Sequence, residues 1–257
     1  MKFRAVGLAA FAGAALVAAS QAVAEPRAVL ELFTSQGCSS CPAADKLLGE
    51  LRQDPSVIAM SLAVDYWDYL GWKDTLALHG HTNRQRAYAH MRGESGIYTP
   101  QIVVNGRTPA LGSDKAEIER AIQQTKANPD TLSLPVSLSV TDGQLTVSAP
   151  AKDKSPAGEV WLCPISKTVQ VPIGRGENHG RTLTYYNVVR RWVKLGDWNG
   201  TAQTWTVPVA DVAGDGADAV AVVVQAGNAP NPSTMLGAAY VSLPNAVSAA
   251  APQTQVK

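Results

Sequence analysis

Two cysteines in Gly37-Cys38-Ser39-Ser40-Cys41-Pro42 are the residues of this chain best suited to chemistry. In the first turn of a helix, a spacing of two intervening residues brings the sulfurs within bonding range. A helix N-terminus also offers unpaired N–H groups and a partial positive charge, and both stabilise a thiolate. The more N-terminal Cys38 is therefore expected to be the exposed, low-pKa nucleophile, and Cys41, one turn in and less exposed, the resolving thiol. The reaction is thiolate attack on a disulfide sulfur, and it needs no cofactor beyond the dithiol. The bare spacing also fits half of a zinc site or a structural disulfide.

The surrounding pattern narrows this choice. Residues 28–33 form a short, mostly apolar run that ends at Thr34-Ser35-Gln36-Gly37 and reads as a strand entering a loop. Ala44, Leu47, Leu48 and Leu51 recur at helical spacing after Pro42, which suits a first turn. Residues 56–64 read as a second strand, 83–91 as a helix, and 101–104 as a strand. Asn105-Gly106 is a type I′ hairpin signal and 107–111 the returning strand. Asp114 and Glu117 have capping-box spacing and open a last helix through Lys126. From Leu132 the period changes to strand-like alternation punctuated by Gly, Pro and Asn, with seven or eight short strands.

Strand, CxxC, helix, strand, then Tyr98-Thr99-Pro100 before another strand, a hairpin and a last helix is the thioredoxin order of elements. In that fold the residue before a cis-proline presents its backbone beside the disulfide, so Thr99 and Pro100 are substrate-binding candidates; a cis X-Pro bond is uncommon enough to be a deliberate feature. The expectation is an α/β thioredoxin-like domain over residues 25–129, followed by an all-β, sandwich-like domain over 130–245 and an unstructured tail over 246–257. The stretches from Glu31 through Pro42, Val64 to Asp74, Tyr98 to Gln101 and Gly174 to Asn178 resemble, in order and over nearly the whole mature chain, the exported domain-of-unknown-function 1223 family. That resemblance implies a thioredoxin-like domain followed by a β-rich one, and little about substrate. Thioredoxins proper carry a buried Asp in the strand before the motif. Here Leu32 occupies that place, so Cys38 lacks that proton acceptor unless Glu31, one residue off, replaces it through a bulge. The Ser-Ser between the cysteines leaves the direction of exchange open.

Gln36 and Gly37 flank the cysteines, and Asp65 and Trp67 follow the second strand at the same sheet end; with Glu31 they form a second tier of site candidates. Tyr66, Trp67, Tyr69 and Trp72 fit either a peptide-binding wall or a compact loop packed on its own aromatics, the latter favoured. No residue is assigned as a metal ligand. Copper held by the cysteines and a histidine is a minority alternative, and His79-Gly80-His81 reads as a solvated loop pair. Gly174-Arg175-Gly176-Glu177-Asn178 reads as a turn with Arg175 and Glu177 paired and Asn178 at positive φ; docking of this loop on the thioredoxin-like face is the alternative. Cys163 reads as a buried free thiol.

Composition bounds the function class. With 22 Lys+Arg against 21 Asp+Glu, the chain lacks the basic surface that drives nucleic-acid binding. It is 46% hydrophobic, which argues against disorder, and three cysteines are too few for a disulfide-stapled miniprotein. Residues 1–24, with Lys2 and Arg4, an Ala-rich apolar run and Ala22-Val23-Ala24, read as a cleaved signal peptide, too short in its apolar run to span a bilayer. Export to a periplasmic or extracellular space, where disulfides persist, is the corresponding location. The leading functional expectation is an exported thiol–disulfide oxidoreductase acting on a thiol- or disulfide-bearing protein or small molecule. The alternative is a binding or assembly protein with a structural disulfide.

Overall fold

The computed structural model describes residues 26–244; the signal peptide expected over 1–24 and the tail expected over 246–257 lie outside them. The chain is a mixed α/β protein with one large sheet and few helices. Its first half comprises β1 (Ala28–Thr34), α1 (Cys41–Leu51), β2 (Val57–Ala63), α2 (His79–Met91), β3 (Gln101–Val104), β4 (Thr108–Leu111) and α3 (Lys115–Thr125).

β1 is buried on both faces, which is why its sequence is nearly continuous in apolar residues. It pairs in parallel with β2 and antiparallel with β3. Strand alternation sends Ala28, Leu30 and Leu32 to a face packed by Leu48 and Leu51 of α1 and Ile118 and Ile122 of α3. Val29 and Phe33 go to the opposite face, against Tyr88 of α2. Each such large apolar side chain, fully buried, favours folding by about 1.5–3 kcal/mol.

Local signals behave as their chemistry requires. Asn105 and Gly106 both adopt positive φ (51° and 72°), as a type I′ turn needs. The Asp114 carboxylate accepts the Glu117 backbone N–H at 2.9 Å and caps α3. One reading changes. α2 starts at His79, earlier than expected, so the His79–His81 pair lies in a first helical turn and not in a solvated loop. His81 is fully buried, with Nδ1 3.0 Å from the Ala63 carbonyl.

The second half contributes β5 (Ser137–Thr141), β6 (Gln144–Ala149), β7 (Gly158–Pro172), β8 (Thr182–Val189), β9 (Val193–Trp198), β10 (Gln203–Pro208), the short α4 (Val209–Val212), β11 (Ala219–Asn228) and β12 (Asn231–Ser242). Strands β5, β6 and β10 form a separate three-stranded sheet. Its apolar side, including Leu138, Leu145 and Val147, packs on Val160, Leu162, Val220 and Val222 of the large sheet. The other five strands continue the sheet of the first half, in the order β12-β11-β7-β8-β2-β1-β3-β4, with β9 on β7. The junction is a parallel pairing of Ser61 with Val188, supported by Asn187 Nδ2 donating to the Ala59 carbonyl at 2.9 Å. The sheet therefore crosses the position near residue 129 where the sequence changes texture.

Candidate functional site

Cys38 and Cys41 are joined by a disulfide, with Cα atoms 5.4 Å apart. β1 delivers the chain to the motif, Cys38 N–H donates to the Ser35 carbonyl, and α1 starts at Cys41 with Pro42 in its first turn. Ser39 and Ser40 are exposed, and the Ser40 hydroxyl lies 3.4 Å from Cys38 Sγ. Cys38 is not the exposed residue that the sequence led us to expect: it is 2% exposed and Cys41 is fully buried.

The loop between β7 and β8 contributes to this enclosure. Asn178, itself buried, donates from Nδ2 to the carbonyls of Gln36 (2.9 Å) and Cys38 (3.0 Å). Arg181 orients Asn178 by donating to its Oδ1 at 2.8 Å. Glu177 accepts the Ser39 backbone N–H at 3.3 Å. The Gly174–Asn178 segment thus docks on the cysteine motif. The expected Arg175–Glu177 turn pair is replaced by this contact, and positive φ falls on Gly176 and Gly180 rather than Asn178. The reason is that three hydrogen bonds to motif backbone outweigh one exposed ion pair.

Gln36 is a hub. Its N–H donates to Asp74 Oδ2 (2.8 Å), its Oε1 accepts from Trp72 Nε1 (2.8 Å), and its Nε2 donates to Thr75 Oγ1 (3.2 Å). Trp72 in turn lies against Gly174 and Gly176. Gly37 gives Trp67 its room, because a methyl group there would come 3.1 Å from Trp67 Cβ. The Trp67 indole N–H donates to Thr99 Oγ1 at 2.8 Å. The Thr99–Pro100 peptide is cis. Gly112 sits among Pro100, Leu32 and Ala44, so Pro100 lies close to α1. Gly37, Trp67 and Thr99 therefore form one connected wall, and Gln36 and Trp72 another.

Asp65 and Glu31 have other partners. Asp65 accepts from the Thr82 hydroxyl (2.5 Å) and meets His79 Nδ1 (2.8 Å); burial raises its pKa, but these contacts outweigh it and leave a net fall. Glu31 is fully buried and points with Val29 and Phe33 to the face away from α1. There it accepts from Arg84 Nε (2.6 Å) and the Tyr88 hydroxyl (2.5 Å). No bulge brings it round to Cys38, because β1 keeps regular register with β2 from Ala28 to Thr34. Glu31 is thus corrected from proton acceptor to structural ion-pair partner. Cys163 is a buried free thiol whose pKa burial raises.

Two acids escaped sequence reading. Asp74 is buried, and its pKa is pushed up to about 6, mainly by burial, against the pull of the Gln36 and Leu76 N–H groups. Asp45 is buried in α1, four residues after Cys41. A carboxylate on the buried stripe of an otherwise amphipathic helix was the available signal. Among the described residues, no group of three or more His, Cys, Asp or Glu side chains is gathered as for a metal ion. Nor is any described helix long and apolar enough to cross a membrane.

A disulfide tying the loop after a central strand to the first residue of the following helix, in a mixed α/β sheet, defines the class. Residues 29–225 match the model of the family described as protein of unknown function (DUF1223), and the chain belongs to that family. It is similar to the crystal structure of protein AGR_C_4864 from Agrobacterium tumefaciens, with 32% identity, a TM-score of 0.76, and coverage of 91% of this chain and 98% of that one. HBP35 of Porphyromonas gingivalis shares the fold more distantly, with 15% identity, a TM-score of 0.54, and coverage of 91% of this chain and 81% of that one. No curated protein matches the chain.

Proposed function

We propose that the protein is an exported thiol–disulfide oxidoreductase, built on a thioredoxin-like N-terminal half, in which Cys38 exchanges with a thiol- or disulfide-bearing protein or small molecule and Cys41 resolves the mixed disulfide. The observation that carries this reading is the Cys38–Cys41 disulfide at the start of α1, with Thr99 and Pro100 in the adjoining wall. The N-terminal end of α1 favours a thiolate at Cys38 once the bond opens. The exposed Ser39 and Ser40 lie next to Cys38 in sequence and leave that side of the motif open to a substrate. Thr99 aligns that substrate, and the signal-like N-terminal sequence supports an oxidising location.

Enclosure of both cysteines favours one other reading: a structural disulfide in a binding or assembly protein. Redox titration against glutathione, together with insulin-reduction and oxidative-refolding assays, separates the two. The oxidoreductase is expected to equilibrate with the glutathione couple and to lose activity in Cys38→Ser. A potential well below about −300 mV, or full activity in Cys38→Ser, refutes the enzyme.

A further inference from the structure

We propose that Asp45 is the proton donor and acceptor for Cys41, coupling the opening and closing of the disulfide to protonation of a buried carboxyl. The inference rests on the exchange chemistry proposed above and deepens it.

The geometry begins with helix periodicity. Asp45 and Cys41 are an i, i+4 pair on the buried side of α1, so their Cβ atoms stand about 5–6 Å apart. Helical side chains lean towards the N-terminus, which carries the Asp45 carboxyl back over the turn that holds Cys41. Asp45 is 4% exposed, and neither carboxyl oxygen has a hydrogen-bond partner among the described residues. The buried Thr34 and Tyr185 hydroxyls nearby also lack partners there. Buried polar groups are normally paired, and a cluster of unpaired ones marks a site whose chemistry the resting state does not satisfy. Asp74 and Tyr185 are the titratable groups facing Asp45 from other elements, and both disfavour its negative charge or feel it. Burial pushes the Asp45 pKa up to about 8; Asp74 adds to the rise, and Thr34, short of hydrogen-bond geometry, takes part of it back. Burial therefore favours the neutral acid at Asp45, one helical turn from Cys41.

The step balances without an added reagent. A substrate thiolate attacks Cys38 Sγ, a new sulfur–sulfur bond forms, and the Cys38–Cys41 bond breaks. Cys41 leaves with the electron pair and takes the Asp45 proton. In the reverse direction the Asp45 carboxylate removes the Cys41 proton, Cys41 attacks Cys38 Sγ, and the substrate sulfur departs as a thiolate. In each direction one sulfur–sulfur bond forms as another breaks, so the sulfur that joins the new bond is oxidised as the departing sulfur is reduced.

The test follows disulfide opening by dithiothreitol in stopped flow, with rates divided by thiolate concentration from pH 6 to 10. In wild type the rate is level below about pH 8 and falls above it. Asp45→Asn is expected to be about 100-fold slower at pH 7 and without the inflection. An Asp45→Asn profile that matches wild type overturns the proposal. A second measurement needs no variant: the Asp45 carboxyl 13C shift is titrated in oxidised protein and in protein reduced during unfolding and refolded. A different midpoint in the two states is expected, because Cys41 becomes titratable in one only; the same midpoint in both overturns the proposal. If dithiothreitol and glutathione leave the wild-type disulfide intact, the oxidoreductase reading fails, while the two-state titration still decides whether Asp45 answers to Cys41.

Discussion

Glu31 and Arg84 form an ion pair with side-chain exposures of 0% and 10%, Arg84 stacking over the Trp192 ring at 4.2 Å and donating to Gln225 Oε1 at 2.8 Å. Burial works against the Arg84 charge, but Glu31 beside it more than restores it and holds the pKa above its ordinary value. Arg84→Ala leaves the Glu31 charge buried without its cation, with only the Tyr88 hydroxyl donating to it, and is expected to cost about 3–5 kcal/mol in urea denaturation. Glu31→Gln with Arg84→Met removes both charges and is expected to cost less than the single change. Asn178 makes the same point with neutral groups. Asn178→Ala orphans the Gln36 carbonyl, at about 1–3 kcal/mol, and leaves the Cys38 carbonyl with only the Cys41 N–H. It is also expected to raise the rate at which reduced Cys38 is alkylated by iodoacetamide, because the loop over the motif loosens.

Between elements, close approach is what holds the site together. A methyl group on Gly112 would come within 3.0 Å of Pro100 Cβ and 2.9 Å of Leu32 Cδ1, so Gly112→Ala pushes the Thr99–Pro100 segment away from α1. The expected cost is about 1–3 kcal/mol of overpacking, read from a thermal or denaturant midpoint. Asp114→Ala removes only the N-terminal cap of α3 and is expected to cost about 1 kcal/mol without altering disulfide opening. Comparing the two variants separates loss of stability from displacement of the site.

At the scale of the molecule, buried acids set the pH response of the oxidised protein. Asp74 and Asp45 have pKa values raised from 3.8 to about 6 and about 8, so the folded state holds their protons more tightly than the unfolded state. The stability they contribute is full below pH 3.8 and is lost as pH rises through the raised values. His81 acts in the opposite sense: burial lowers its pKa from 6.5 to about 4, so stability is lost as pH falls through that window. About one pH unit above 6.5 the His81 and Asp74 contributions have levelled off, and the Asp45 loss stands alone. Denaturant unfolding is therefore expected to show stability falling from pH 6.5 to 8, and Asp45→Asn is expected to flatten that fall.

Local chemistry was legible from residue order. Leu30 and Leu32 announced a buried strand, Pro42 a helix start, Asn105-Gly106 a turn with two positive φ angles, and Asp114 a cap. Each depends on neighbours within a few residues, so propensity and spacing suffice. The Cys38–Cys41 pairing was one of the readings that the three-residue separation left open. What tertiary structure alone decided are the pairings across long stretches of chain: Ser61 with Val188, Asn178 with Gln36 and Cys38, Glu31 with Arg84. Residue spacing carries no term for which distant loop will lie over a motif, because that outcome depends on how the sheet order closes. The burial of Cys38 and of the unpaired Asp45 depends on that closure.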